Sequence, residues 1–164
     1  MNPETTGLLR QLVFDRPVAA LGTLHDGLPF VSMVPYAVSP DGGHFLIHIS
    51  RLAAHTKDLQ ATPEVCLMIA AADDPETMPQ ALARISIPGV AHFVAEDSAD
   101  HGAFLAAYLA KFPSAESLFD FPDFSLVAIS PRSARFIAGF AQASTLSAEI
   151  LRRALAMNPG PGTN

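Results

Sequence analysis

The sequence predicts a β-barrel with flanking helices (α+β), built on about six mostly antiparallel strands. Three observations carry this. Short apolar runs with turn signals between them fill residues 18–50 and return at 125–141. The Asp26-Gly27 pair and the later "SPDGG" are tight turns that join neighbouring strands directly, so the sheet begins antiparallel. That excludes a doubly wound nucleotide fold for the first half. A sheet of this kind also tends to close, because closure removes exposed edges; the pattern's other reading is an open sheet with helices on one face.

Each element has its own warrant. Leu8, Leu9, Leu12 and Val13 recur at helical spacing, and the helix should stop before Pro17. "VAALGTL", "PFVSMVPYAV" and "HFLIHIS" read as the first three strands. In the second, alternation puts Phe30, Ser32, Val34 and Tyr36 on one face and Val31, Met33, Pro35 and Ala37 on the other. A short helix ends at Pro63, and "EVCLMIAA" reads as a strand buried on both faces, with Cys66 as a buried thiol. "DDPETMPQ" is a loop, and "ALARISIPGVAHFVA" is a long strand bent at Pro88-Gly89. "SADHGAFLAAYLAKF" predicts a helix capped by Ser98, with Phe104, Leu105, Tyr108 and Leu109 on its apolar face. After the aromatic-rich loop "PSAESLFDFPDF", "SLVAIS" and "RSARFIAGFA" are strands on either side of Ser130-Pro131. A helix around "SAEILRRALA" follows. Residues 1–157 read as a single domain and 158–164 as a disordered C-terminal tail.

Composition narrows the function classes. Of 164 residues, 49% are hydrophobic and only 16% charged, so a packed core is expected and a homodimer is the simplest cover for surplus apolar surface. The net charge of -6 argues against a nucleic-acid partner. No apolar run is long enough to span a membrane and no secretory leader is visible, so the expectation is a cytoplasmic protein. With a single cysteine there is neither a disulfide nor a multi-cysteine metal site. His44 and His48 lie four residues apart on one strand, roughly 13 Å, too far to share an ion. No HxH, HExxH, GxSxG, Walker or GxGxxG pattern occurs, and no metal site is expected.

The chemistry concentrates in "LIHISRLAAHTKDL", residues 46–59. Ser50 falls at a strand end, and Leu52, His55, Thr56 and Leu59 follow at i, i+3, i+4 and i+7, which turns His55 and Thr56 inward near the start of a helix. Free N–H groups at a helix N-terminus attract anions. Ser50 adds a hydroxyl, Arg51 a fork of donors and Lys57 a point charge, a local positive potential in an acidic chain. Two readings stand: a phosphate site, or a solvated strand-to-helix corner. Ser32, mid-strand among apolar residues, needs a ligand or a backbone carbonyl as partner if buried.

The run "LIHISRLAAHTKDLQATPEVCLMIA" resembles the flavin-binding region of the pyridoxamine 5'-phosphate oxidase-like superfamily, and within it the haem-utilisation, HugZ-like branch. Ser50, Leu52, Ala53, His55, Thr56 and Leu59 match the pattern "S-x-L-A-x-H-T-x-N-L", while Asp58 stands where Asn is usual. "AALGTLHDGLPFVSMVPYAVSPDGGHFLIH" and "FPDFSLVAISPRSARFIAGFAQA" resemble the opening strands and the late hairpin of the family. The resemblance covers roughly residues 8–146 and implies a mostly antiparallel, six-stranded FMN-binding split barrel. It also implies a homodimer with FMN at the subunit interface and a flavin-dependent oxidoreductase of unknown substrate. By position, Ser32, Met33 and Val34 would line the isoalloxazine, and Ser50, Arg51, His55, Thr56 and Lys57 would hold the phosphate. The hairpin around Arg135, Gly139, Phe140 and Gln142 would reach the cofactor or the other subunit. The absence of any Trp, and of an Arg-x-His-x-Arg cluster, argues against oxidation of pyridoxamine phosphate itself. The alternatives are a haem-binding or haem-degrading protein, although Gln142 and Ser144 replace the cation and histidine of that branch, and a non-catalytic cofactor-binding dimer. No residue stands out as a catalytic acid or base.

Overall fold

Asp26 and Gly27 both take positive φ, 51° and 78°, the left-handed pair that a two-residue turn needs to match strand twist. They join β1 (Val18–His25) to β2 (Leu28–Pro35) in full antiparallel register, His25 opposite Leu28 and Val18 opposite Pro35. This computed structural model describes residues 1–140 and 142–157; the tail expected at 158–164 lies outside the described residues.

The remaining strands are β3 (Ala37–Val38), β4 (Phe45–Ser50), β5 (Glu64–Ala70), β6 (Arg84–Phe93), β7 (Phe124–Pro131), β8 (Ser133–Gly139) and β9 (Gln142–Ser147). The helices are α1 (Pro3–Asp15), α2 (Ala54–Ala61), α3 (His101–Lys111) and α4 (Ala148–Leu155). The sheet runs β2-β1-β5-β6-β7-β4-β3, and since only Tyr36 separates β2 from β3, this order returns to where it began. β6 forks. Its first residues, Arg84–Ser86, pair with β8, and from Gly89 onward the same edge pairs with β7. A Cβ on Gly89 would stand 2.6 Å from the Ser130 carbonyl oxygen, so a bare backbone is needed where the edge changes partner.

The interior is filled by Leu21, Phe45, Ile47, Leu67, Ile69, Ile85, Ile87, Val127, Ile129 and Phe136, with Leu9, Leu12 and Val13 of α1 and Leu151 and Leu155 of α4 packed in with them. Tyr36 donates to the Val13 carbonyl (2.6 Å), tying α1 to the β2–β3 corner. A second apolar layer lies outside β4 and β7, where Phe104 and Tyr108 of α3 cover Leu46, Leu126 and Ala128. His48 belongs to this layer, stacked on Phe119 at 3.6 Å, and burial lowers its pKa to about 4.

Among the described residues no helix covers the outer face of β2, β1, β5 and β6 in the same way. Register sets Met33, Ala20, Met68, Ser86 and Arg135 in one row across that face, with Val31, Gly22, Cys66 and Pro88 in the next. Val31 and Met33 remain 66% and 64% exposed.

The β-barrel with flanking helices is present, but with nine strands among the described residues rather than six. Tyr36 splits one expected strand into β2 and β3, and β9 was not expected at all. "RSARFIAGFA" does not continue as one strand: Gly139 pairs with Gln142, and the chain folds back as β9. β5 is buried on one face only, because α2 and α3 leave its outer side uncovered; Cys66 is therefore exposed rather than a core thiol. α3 starts at His101 after Asp100, and the Ser98 side chain does not cap it. α2 starts at Ala54, so Leu52 precedes the helix and points to solvent instead of inward. Among the described residues no helix is long and apolar enough to cross a membrane.

Candidate functional site

The inner faces of β1 and β2 carry polar groups only toward the hairpin end. Along β1 the inward series runs Ala19, Leu21, Thr23, and register places Ser32 opposite Leu21 and Phe30 opposite Thr23. α2 packs across this end of β1. It is held there by Leu59, which joins the core, and by Thr56, fully buried, whose Oγ1 donates to the Ser50 carbonyl (2.6 Å). The helix thereby presents His55 and Asp58 to the two strands.

Two hydrogen-bonded groups result. Ser32 Oγ and His55 Nδ1 share a bond of 3.0 Å, and the partial burial of His55, opposed by nearby Asp58, keeps the imidazole pKa below its usual value. One turn further on, Asp58 is 4% exposed and both its oxygens are satisfied. Thr23 Oγ1 donates to Oδ2 (2.8 Å) and the His25 Nδ1–H to Oδ1 (2.6 Å). Burial pushes the Asp58 carboxyl up, but the bonds from His25 and Thr23 outweigh it and hold the pKa below the usual value. The same bond to Asp58 raises His25. Sequence reasoning placed His55 and Ser32 here but missed His25, Thr23 and Asp58. The signal was present: Thr23 and His25 alternate on one strand face, and Asp58 replaces the usual Asn one turn after His55.

The cluster expected to hold a phosphate is arranged differently. Ser50 Oγ donates to Asp123 Oδ2 (2.8 Å) and accepts from the Leu52 N–H (3.1 Å). The Arg51 N–H donates to the Asp123 carbonyl (2.7 Å), and its guanidinium to the carbonyl of Pro122. Lys57 is exposed. Ser50 and Thr56 thus direct their protons to protein acceptors, and Asp123 sets a carboxylate beside the place an anion would take. Met33 faces the outer side of β2, and Val34 lies in the core. Arg135 donates to Thr145 Oγ1 (2.9 Å) on the β8–β9 hairpin, whose far end carries exposed Gln142 and Phe140. That hairpin joins the sheet at β6, and no hydrogen bond links Arg135 or Gln142 to the Ser32–His55 pair among the described residues.

Residues 5–138 match the profile of the family described as pyridoxamine 5'-phosphate oxidase. The chain belongs to the pyridoxamine 5'-phosphate oxidase family. It is 42% identical over 125 residues to a chloroplastic non-canonical heme oxygenase, HOZ, of Arabidopsis thaliana, covering 76% of this chain and 36% of that protein. It is 27% identical over 153 residues to the heme oxygenase HutZ of Vibrio cholerae, covering 92% and 84%. Its fold superposes on a heme binding protein from Mycobacterium smegmatis with a TM-score of 0.81 at 26% identity, over 93% of this chain and 61% of the other. The chain thus spans about a third of the chloroplast relative's length. These likenesses place it with the HugZ-like branch of the split barrels.

Proposed function

We propose that this chain is a haem-binding protein of the family and takes part in haem oxidation, in preference to the FMN oxidoreductase expected from sequence. The observation that carries this reading is its likeness to two heme oxygenases, one at 42% identity over 125 residues. Local chemistry supports the same choice. An FMN phosphate in the α2 cradle would have to displace the Ser50–Asp123 bond and sit against that carboxylate. Haem asks instead for a flat apolar surface with a nitrogen donor at hand. The hairpin end of the barrel fits that need. Leu28 and Phe30 lie exposed on one face, and the His25 and His55 imidazoles lie at the same end. Bound haem would supply a redox-active iron able to take up dioxygen. The protein would orient it, exclude water from one side and hold the proton shared by Ser32 and His55 close to it.

We further propose a homodimer through the uncovered outer face of β2, β1, β5 and β6. A two-fold docking of that face would bring the late hairpin of one protomer, with Arg135 and Gln142, toward β2 of its partner. Parallel titrations of the purified chain with hemin and with FMN test the cofactor choice. Hemin should give a saturable Soret band while FMN fluorescence stays unquenched. A chain that purifies with flavin, or binds FMN more tightly than hemin, overturns the haem reading.

A further inference from the structure

Asp58 is an unusual residue to find on the inner face of a helix. A buried carboxylate is retained only where donors satisfy it. Both of its donors, Thr23 and His25, come from one face of β1. Thr23 is itself buried, but His25 is not: its side chain is 47% exposed. A carboxylate on Nδ1 fixes the proton there and leaves Nε2 with a lone pair, its neighbour the exposed Asp26 carboxylate at 3.8 Å. Histidines that bind a metal are held in this way, the second nitrogen donating to a carboxylate or carbonyl that fixes the tautomer and raises ligand basicity.

The other histidines offer no such arrangement. Nδ1 of His44 and of His48 is buried without a partner among the described residues, and His48 lies flat against Phe119. His55 has its Nδ1 on the Ser32 hydroxyl rather than on a carboxylate. His92 and His101 have no hydrogen-bonded carboxylate among the described residues. Around His25 the surface also suits a macrocycle. Leu28 stands directly opposite it in register and is 70% exposed, and the Phe30 ring lies 5.6 Å from the imidazole. The Asp26 carboxylate, 3.8 Å from Nε2, is carried on a freely exposed side chain at the turn and can swing aside.

We propose that His25 is the axial ligand of haem iron through Nε2, and that Asp58 is the positioning residue that fixes its tautomer and ring orientation. This rests on the haem reading above.

The test uses the full chain as wild type, His25→Ala, His25→Gln and Asp58→Asn, titrated with hemin. Resonance Raman spectra of the ferrous form read the iron–histidine stretch, and circular dichroism reads the fold. Gln at position 25 can keep a hydrogen bond to Asp58 without ligating iron, so it separates a stitch from a ligand. The wild type should show the stretch. Both His25 variants should lose it and bind hemin more weakly than the wild type does. Added imidazole should restore the nitrogen-ligated spectrum in His25→Ala. Asp58→Asn should keep the stretch but move it to lower frequency, because a neutral amide withdraws less proton density from the ring. A stretch that persists in both His25 variants overturns the assignment while leaving haem binding intact. An unshifted band in Asp58→Asn overturns the role of Asp58. A wild type that binds no hemin fails the haem reading itself.

Discussion

At the scale of single residues, the Asp58–His25 pair gives the fold a definite pH window. The hydrogen bond to Asp58 and the charge of that carboxylate raise His25 above its ordinary 6.5. The stability this contributes is complete below about pH 6.5, the unfolded value, and fades as pH rises through the higher folded value. Asp58 runs the other way. Its bonds outweigh the effect of burial and leave it below 3.8, so its contribution is complete above that pH and is lost as pH falls through the lower folded value. Thermal melts of wild type and Asp58→Asn across pH should therefore diverge most between about 4 and 6.5 and converge toward both extremes. A constant offset across the whole range would mean that the pair does not titrate as a unit.

At the scale of elements, the fork in β6 depends on Gly89. Alanine there would press a methyl group against the Ser130 backbone, which no side-chain rotation can relieve. Gly89→Ala should lower unfolding stability by about 1–3 kcal/mol in urea titrations, as overpacked positions do. Pro88-Gly89 stood out in the sequence as an interruption of the strand, yet β6 runs through it in regular register with β5, and what changes there is the partner on its other edge. The first hairpin was legible, since Asp26-Gly27 permits few other conformations. β9 was not legible: "QASTLS" lacks apolar alternation, and only pairing with β8 makes it a strand. The same limit applied at the site. Local spacing placed Ser50, His55 and Thr56 correctly at a strand-to-helix corner, but the partner that engages Ser50 is Asp123, 73 residues further along the chain. Helical periodicity likewise set His55 and Thr56 inward and could not say that the Thr56 hydroxyl would be taken up by the Ser50 carbonyl.

At the scale of the whole molecule, the two sides of the barrel are unequal. β4 and β7 are covered outside by α3 and its aromatic layer, whereas β2, β1 and β5 present methionine, valine and cysteine to solvent. Lysine at both Val31 and Met33 should convert the proposed dimer to monomer in sedimentation experiments without changing the circular dichroism of the chain, because neither side chain is packed inside the protomer. An unchanged mass would place the dimer contact elsewhere or remove it. Cys66 sits in the middle of this face, between Gly22 and Pro88 in register. As the chain's one thiol, exposed on this face yet with its pKa raised by desolvation, it would label slowly when free and more slowly still beneath a partner. The position that sequence patterning assigned to the core is thus a built-in gauge of assembly, readable by the kinetics of a single chemical reaction.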